Sequence, residues 1–125
     1  MNKAIRNQIL QLEREQVRAI NQGDVAGALK MFHKDFIGFS STRHERIRGL
    51  SALKKTFLYY LKRAPDMTYR IEQPQVHASG ATAVATFYWT VGLGKGRRVR
   101  GRGTHVFARD GKNWRVVHEH FSCAH

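Results

Sequence analysis

Three histidines near the C-terminus, His105, His118 and His120, are the side chains best suited to proton chemistry, because an imidazole titrates near neutral pH. The segments Arg97 to Arg109 and Trp114 to Ser122 flank the turn Asp110-Gly111-Lys112-Asn113, which marks a β-hairpin. Side chains alternate across a strand, so the hairpin sorts by parity. With Arg109 opposite Trp114, Phe107 faces Val116, His105 faces His118 and Gly103 faces His120. One face then carries Phe107, Trp114, Val116 and the three imidazoles, with cross-strand neighbours about 4.5–5.5 Å apart at Cβ. A core needs Phe107 and Trp114, so this face is expected to point inward.

Three kinds of chemistry suit such a cluster. The imidazoles can be neutral, hydrogen-bonded and part of the core. They can line a polar pocket, in which His118 or His120 carries a proton and Tyr88 or His105 donates a hydrogen bond to a carbonyl or carboxylate. A His-x-His pair with a third histidine on the next strand can also hold zinc and leave one position for water. The stretch is poor in carboxylates to orient the rings, so no metal is assigned and no cofactor is expected. Burial lowers an imidazole's pKa, which predicts neutral rings able to accept a proton. Phe107, Trp114 and Tyr60 supply apolar walls of the kind that ligand sites have. No nucleophile with its own base and orienting group is visible.

The opposite face of the hairpin is basic. Arg98, Arg100 and Arg102 share one parity at roughly 6.5–7 Å spacing, close to that of successive phosphates. Arg115, Lys95 and Arg97 extend the stripe, and Glu119 and Phe121 are expected on the same outward side. Three readings apply: an anion-binding surface for a macromolecule such as nucleic acid, a plain solvated basic surface, or arginines that pair with Glu119 across a dimer. Stacking aromatics are absent from that face except Phe121.

The elements that hold these residues follow from the rest of the chain. Its 125 residues make one domain, 1–125, large enough for a core without disulfide staples. A single cysteine, Cys123, excludes a disulfide framework and a cysteine zinc cluster. Charges interrupt Met1 to Glu13, so neither a signal peptide nor a membrane span is expected, and the reading is cytoplasmic. The 22 Lys+Arg against 9 Asp+Glu give a formal +13, which attracts anions: nucleic acid, acidic lipid or a charged small molecule. Ile5, Ile9, Leu12, Gln16 and Ala19 step along one face of a helix from about Lys3 to Gln22, with Gly23 as its stop. Asp24 caps a second helix containing Val25, Ala28, Leu29 and Phe32. Phe36, Ile37 and Phe39 form a short strand, and Leu53, Phe57, Tyr60, Leu61 and Ala64 mark a third helix closed by Pro65. Beyond Met67 the period becomes two. Pro74 requires an edge strand or a bulge. Ala81 to Val91 reads as a long strand, and helices first with antiparallel strands after them define an α+β domain.

The motif Trp114-x-x-Val117-His118-x-His120-x-Ser122, within the run from Gly101 to Ser122, resembles the closing hairpin of SnoaL-like proteins. These belong to the nuclear transport factor 2-like superfamily, which also holds the association domain of calcium/calmodulin-dependent kinase. The opening around Asn21 to Ala28, and Gly49 before the third helix, resemble the family more loosely. The resemblance implies a cone: three N-terminal helices packed on a strongly curved antiparallel sheet (a cystatin-like fold) around a pocket, and a homodimer through the sheet. It also implies a small-molecule ligand, bound with or without isomerase, cyclase or dehydratase chemistry. Relatives that isomerise use an aspartate base and an oxyanion hole, and cyclases use a pocket acid. This sequence offers Asp35, matching a residue commonly structural in relatives, and Asp66, with His118 and His120 at the late-strand positions. Positions matching the arginines of the kinase association domain's pocket are Tyr88 and His105. Ala83, Ala85, Phe87 and Trp89 form the more apolar parity of their strand, which favours Trp89 inward, whereas the resemblance favours Tyr88; the length of the Gly92–Gly96 loop leaves the register open, and the reading leans to Tyr88.

Overall fold

Apolar residues at steps of three and four wind residues Lys3–Asn21 into α1. Gly23 ends the helix in the left-handed region at φ +70°, where a residue without Cβ carries no steric penalty. The Asp24 carboxylate then accepts the Gly27 N–H at 2.9 Å and caps α2, Val25–Leu29. The chain continues through β1 (Phe32–Phe39), β2 (Ile47–Arg48), α3 (Gly49–Arg63), β3 (Thr68–Ser79), β4 (Thr82–Gly94), β5 (Arg97–Asp110) and β6 (Asn113–Cys123). This computed structural model describes residues 2–124, with Met1 and His125 outside the described residues.

The six strands form one curled sheet in the order β2-β1-β6-β5-β4-β3. All neighbours are antiparallel except β1 and β6, which run parallel. The α+β reading holds. Phe32 was expected in the second helix and instead begins β1, where its buried ring meets Phe36 edge-on at 5.1 Å. Pro74 meets both of its constraints at once: β3 is the sheet edge, and its pairing slips between Glu72 and Gln75.

Helix α1 packs on β3 and α2, and α3 packs on β1 and α2. The main core joins Ile9, Phe32, Phe36, Leu53, Phe107, Trp114 and Val116. A second cluster, Tyr69, Phe87 and Trp89, lies nearer the β4–β5 end. Asn21 pins that end to α1: its amide nitrogen donates to the Tyr69 carbonyl at 2.7 Å, and its oxygen accepts the Tyr69 N–H at 2.7 Å.

The Gly101-Arg102-Gly103 run shows why the hairpin alternates as it does. Gly101 lies opposite Trp89, and Gly103 opposite Phe87. A Cβ at either glycine would stand 2.6 Å from the facing ring. The inward glycines therefore make room for aromatic rings, and the intervening arginines point out. Among the described residues no helix is long and apolar enough to cross a membrane.

Candidate functional site

Beneath the helices the sheet buries an ionic group. His105 is fully buried on the inward face of β5. Its Nδ1 lies 2.7 Å from Glu13 Oε2 and its Nε2 lies 2.9 Å from Glu119 Oε1. Carboxylates face both ring nitrogens, so both donate and the ring is an imidazolium. The rings of Phe32, Phe87, Phe107 and Phe121 surround it at centroid distances of 5.2–6.1 Å. Burial pulls this imidazole down. The Glu13 charge, hydrogen bonds to Glu119 and Glu13, and the Glu119 charge outweigh it and raise the pKa from 6.5 to about 10. The expectation of a lowered pKa is thus reversed for His105, because two acids follow it into the core.

Neither acid was assigned to the site from sequence. Glu13 sits on α1 four residues after Ile9 and three before Gln16, on the buried face of that helix. Glu119 reaches the interior through a β-bulge. The β5–β6 register pairs Arg109 with Trp114 and Phe107 with Val116, then shifts, so that Val106 pairs with His118 and His105 with Glu119. Val117 is the extra residue, and every side chain beyond it changes face.

That shift corrects the placement of His118 and His120. Both lie on the outer face with Phe39 between them, and His120 is exposed. His118 Nδ1 donates to the Ile37 carbonyl at 2.8 Å. The three imidazoles do not converge, so the geometry considered for zinc is not formed. Glu119 and Phe121, expected outside, are inside.

A cavity of about 380 Å³ lies beside the ionic group, within the range of ligand pockets, ~300–1,000 Å³. Gln16, Leu53, Thr56, Tyr69, Trp89 and Glu119 are its buried walls. Tyr59, Arg63 and Val99 are lining residues exposed to solvent, which places them at the mouth. The walls are mainly apolar, and a few polar groups converge on them. Glu119 Oε1 is held by His105, and among the described residues no hydrogen bond engages its other oxygen. Among the described residues, Gln16 Oε1 and Ser40 Oγ are buried without hydrogen-bond partners. Burial first, then the charges of Glu13 and Glu119, keep the Tyr69 phenol well above its ordinary pKa of 10. It therefore stays protonated and can donate.

The remaining expected residues divide clearly. Tyr60 lines the cavity, with its hydroxyl 2.5 Å from Thr42 Oγ1. Phe107 and Trp114 are core residues that do not line this cavity. The Tyr88 register is corrected: Tyr88 is 54% exposed on the outer face, whereas Trp89 is 3% exposed and donates from Nε1 to the Arg102 carbonyl at 3.1 Å. Asp35 is solvent-exposed beside His33 and away from the cavity. Arg98, Arg100 and Arg102 are exposed as a row. Arg115 is half-buried and donates from Nη1 to the Lys30 carbonyl at 3.0 Å, apart from that row.

Comparison with protein families matches residues 9–125 to the SnoaL-like domain. No curated protein matches the chain. Among solved structures, an NTF2-like (nuclear transport factor 2-like) protein of unknown function from Pseudomonas putida is similar at 26% identity, covering 98% of this chain and 88% of that one, with a TM-score of 0.91. A candidate calcium/calmodulin-dependent protein kinase II association domain from Xanthomonas campestris is 18% identical over 93% of this chain and 85% of that one, with a TM-score of 0.81. A candidate ketosteroid isomerase from Parabacteroides distasonis is 23% identical over the same shares, 93% and 85%, with a TM-score of 0.74.

Proposed function

We propose that this chain, which belongs to the SnoaL-like domain family, binds a small, mainly apolar molecule in the cavity and performs isomerase-type proton transfer on it. The observation that carries the reading is the Glu119 carboxylate on the cavity wall, braced from behind by His105. The fold shared with a candidate ketosteroid isomerase supports the reaction class.

The residues suit a ligand carbonyl with an acidic C–H beside it. Glu119, through the oxygen that His105 does not hold, takes the proton as the C–H bond breaks. The electron pair moves into a C=C bond, and negative charge develops on the ligand oxygen. Tyr69, a protonated donor on the same cavity wall, hydrogen-bonds that oxygen. Return of the proton to another carbon completes an isomerisation. His105 touches no ligand here, since it does not line the cavity; it orients Glu119, so the pocket histidine acts at one remove.

The test uses 2-tetralone in D2O, with α-proton exchange followed by NMR and binding followed by Trp89 fluorescence in a Trp114→Phe background. Wild type is expected to accelerate exchange. Glu119→Gln is expected to lose at least 10²-fold of that rate, the usual scale for one acid–base group, while still binding the ketone. Absence of acceleration by wild type, or full activity in Glu119→Gln, would overturn the assignment.

A further inference from the structure

The mouth of the cavity is cationic, whereas its buried end is net negative. At the buried end a single imidazolium, His105, faces the carboxylates of both Glu13 and Glu119, and Glu119 lines the cavity. At the mouth, Arg63 lines the cavity from the last turn of α3. Its guanidinium carbon lies 4.8 Å from the centroid of the Tyr59 ring, one helical turn earlier. A second guanidinium, that of Arg43 on the loop joining β1 to β2, lies 5.8 Å from the centroid of the same ring. The hydrogen bond between Thr42 Oγ1 and the Tyr60 hydroxyl, at 2.5 Å, ties that loop to α3.

Two like charges gathered on one ring repel unless an anion neutralises them. Among the described residues neither Arg43 nor Arg63 forms an ion pair. Glu45 and Asp66, the acids nearest to them in sequence, do not supply one. The pair stands on α3 and the β1–β2 loop, so nothing here requires the outer face of the sheet to be free. Helix α3 also sets a length. Thr56 is a buried wall of the cavity and Arg63 is exposed at its mouth, seven residues on, which is about 10 Å along the helix axis.

We propose that the ligand of this cavity is an amphipathic carboxylate, with an apolar body in the buried part and its carboxylate held at the mouth by Arg63 and Arg43. The proposal deepens, and rests on, the reading of the cavity as a small-molecule site. Charge sets the orientation: Glu119 repels an anion from the buried end, and the two guanidinium groups draw it to the mouth. The planar guanidinium fork matches the two oxygens of a carboxylate. A phosphate ester fits the same fork but carries more charge, which costs more to desolvate beside the lining side chains Met67 and Val99. For the reaction proposed above, the substrate is then a ketone bearing a remote carboxylate.

Trp89 fluorescence in the Trp114→Phe background tests this with 4-phenylbutanoate and its uncharged isostere 4-phenylbutanamide. At 50 mM salt the carboxylate should bind roughly tenfold more tightly than the amide, the scale of a charge-assisted hydrogen bond over a neutral one. That preference should shrink at about 500 mM salt, where exposed charges are screened. Arg43→Gln/Arg63→Gln should abolish the preference, whereas Lys62→Gln, an exposed neighbour that does not line the cavity, should keep it. Equal affinity for acid and amide, an undiminished preference in the double variant, or tighter binding of 3-phenylpropyl phosphate than of the carboxylate would overturn the proposal and leave the cavity reading standing. If acid, amide and 2-tetralone all left Trp89 unchanged, the cavity reading would fall and this proposal with it.

Discussion

Raising the pH should unload the buried ion group before it affects anything else in the core. His105 has a folded pKa of about 10 against 6.5 for the free side chain. A raised pKa means the folded state holds the proton more tightly, so this stabilisation is fully present below about pH 6.5 and is lost as pH climbs through 10. The shift of about 3.5 units, at ~1.4 kcal/mol each, sets an upper figure of about 5 kcal/mol. That is a large part of the ~5–15 kcal/mol holding a domain of this size. Between pH 7 and 9.5 the loss is about 3 kcal/mol, or about 2 M in urea midpoint for an m-value of ~1.5 kcal/mol/M. This window ends below the range in which Tyr69 ionises, since its phenol is pushed above 10. Urea unfolding should be run on wild type and on His105→Gln, whose amide donates to a carboxylate without titrating. Wild type should lose stability steadily across the window and His105→Gln should not. A wild-type curve flat within 1 kcal/mol, or the same slope in both proteins, would refute a charged His105 between Glu13 and Glu119.

Other perturbations separate the inner face from the outer one. Trp89→Ala should cost about 3–5 kcal/mol as a buried aromatic truncation, while Tyr88→Ser, on the exposed side, should stay within about 0.5 kcal/mol; calorimetric Tm values would compare them. Gly101→Ala puts a methyl group against the Ser122 carbonyl and 2.6 Å from the Trp89 ring, so overpacking should cost about 1–3 kcal/mol or more, read as a lower urea midpoint. His118→Ala and His120→Ala should leave ketone affinity within twofold of wild type, because neither ring lines the cavity. A large loss in either variant would show that the bulge at Val117 is misplaced.

The contrast between His105 and His118 shows how far alternation carries. From Arg109 to Gly103 the parity of β5 is unbroken, so the inward turn of Phe107 and His105 was legible from Trp114, Phe107 and the turn at Gly111. One extra residue at Val117 then exchanged His118 and His120 for Glu119 and Phe121. A hint was present: in a chain with only nine acids, Glu13 lies on the apolar face of α1 and Glu119 stands between two histidines. Linking those acids to His105 required contacts across 92 and 14 residues, which no local pattern reports. Trp89 was legible in the more apolar parity of β4, and Gly101 and Gly103 opposite Trp89 and Phe87 supply the physical reason that parity wins.

By itself the sequence determined the three helices and the longer strands in order, though not the two-residue strand β2, together with the final hairpin, the alternation of arginine with glycine, and the excess of positive charge. These depend on spacing, turn chemistry and composition, which act within a few residues. Only the tertiary structure decided which acids meet the imidazole, where the cavity opens and which ring faces it. A buried charge is tolerated only where distant groups neutralise it, and a bulge forms where the packing of neighbouring strands demands it.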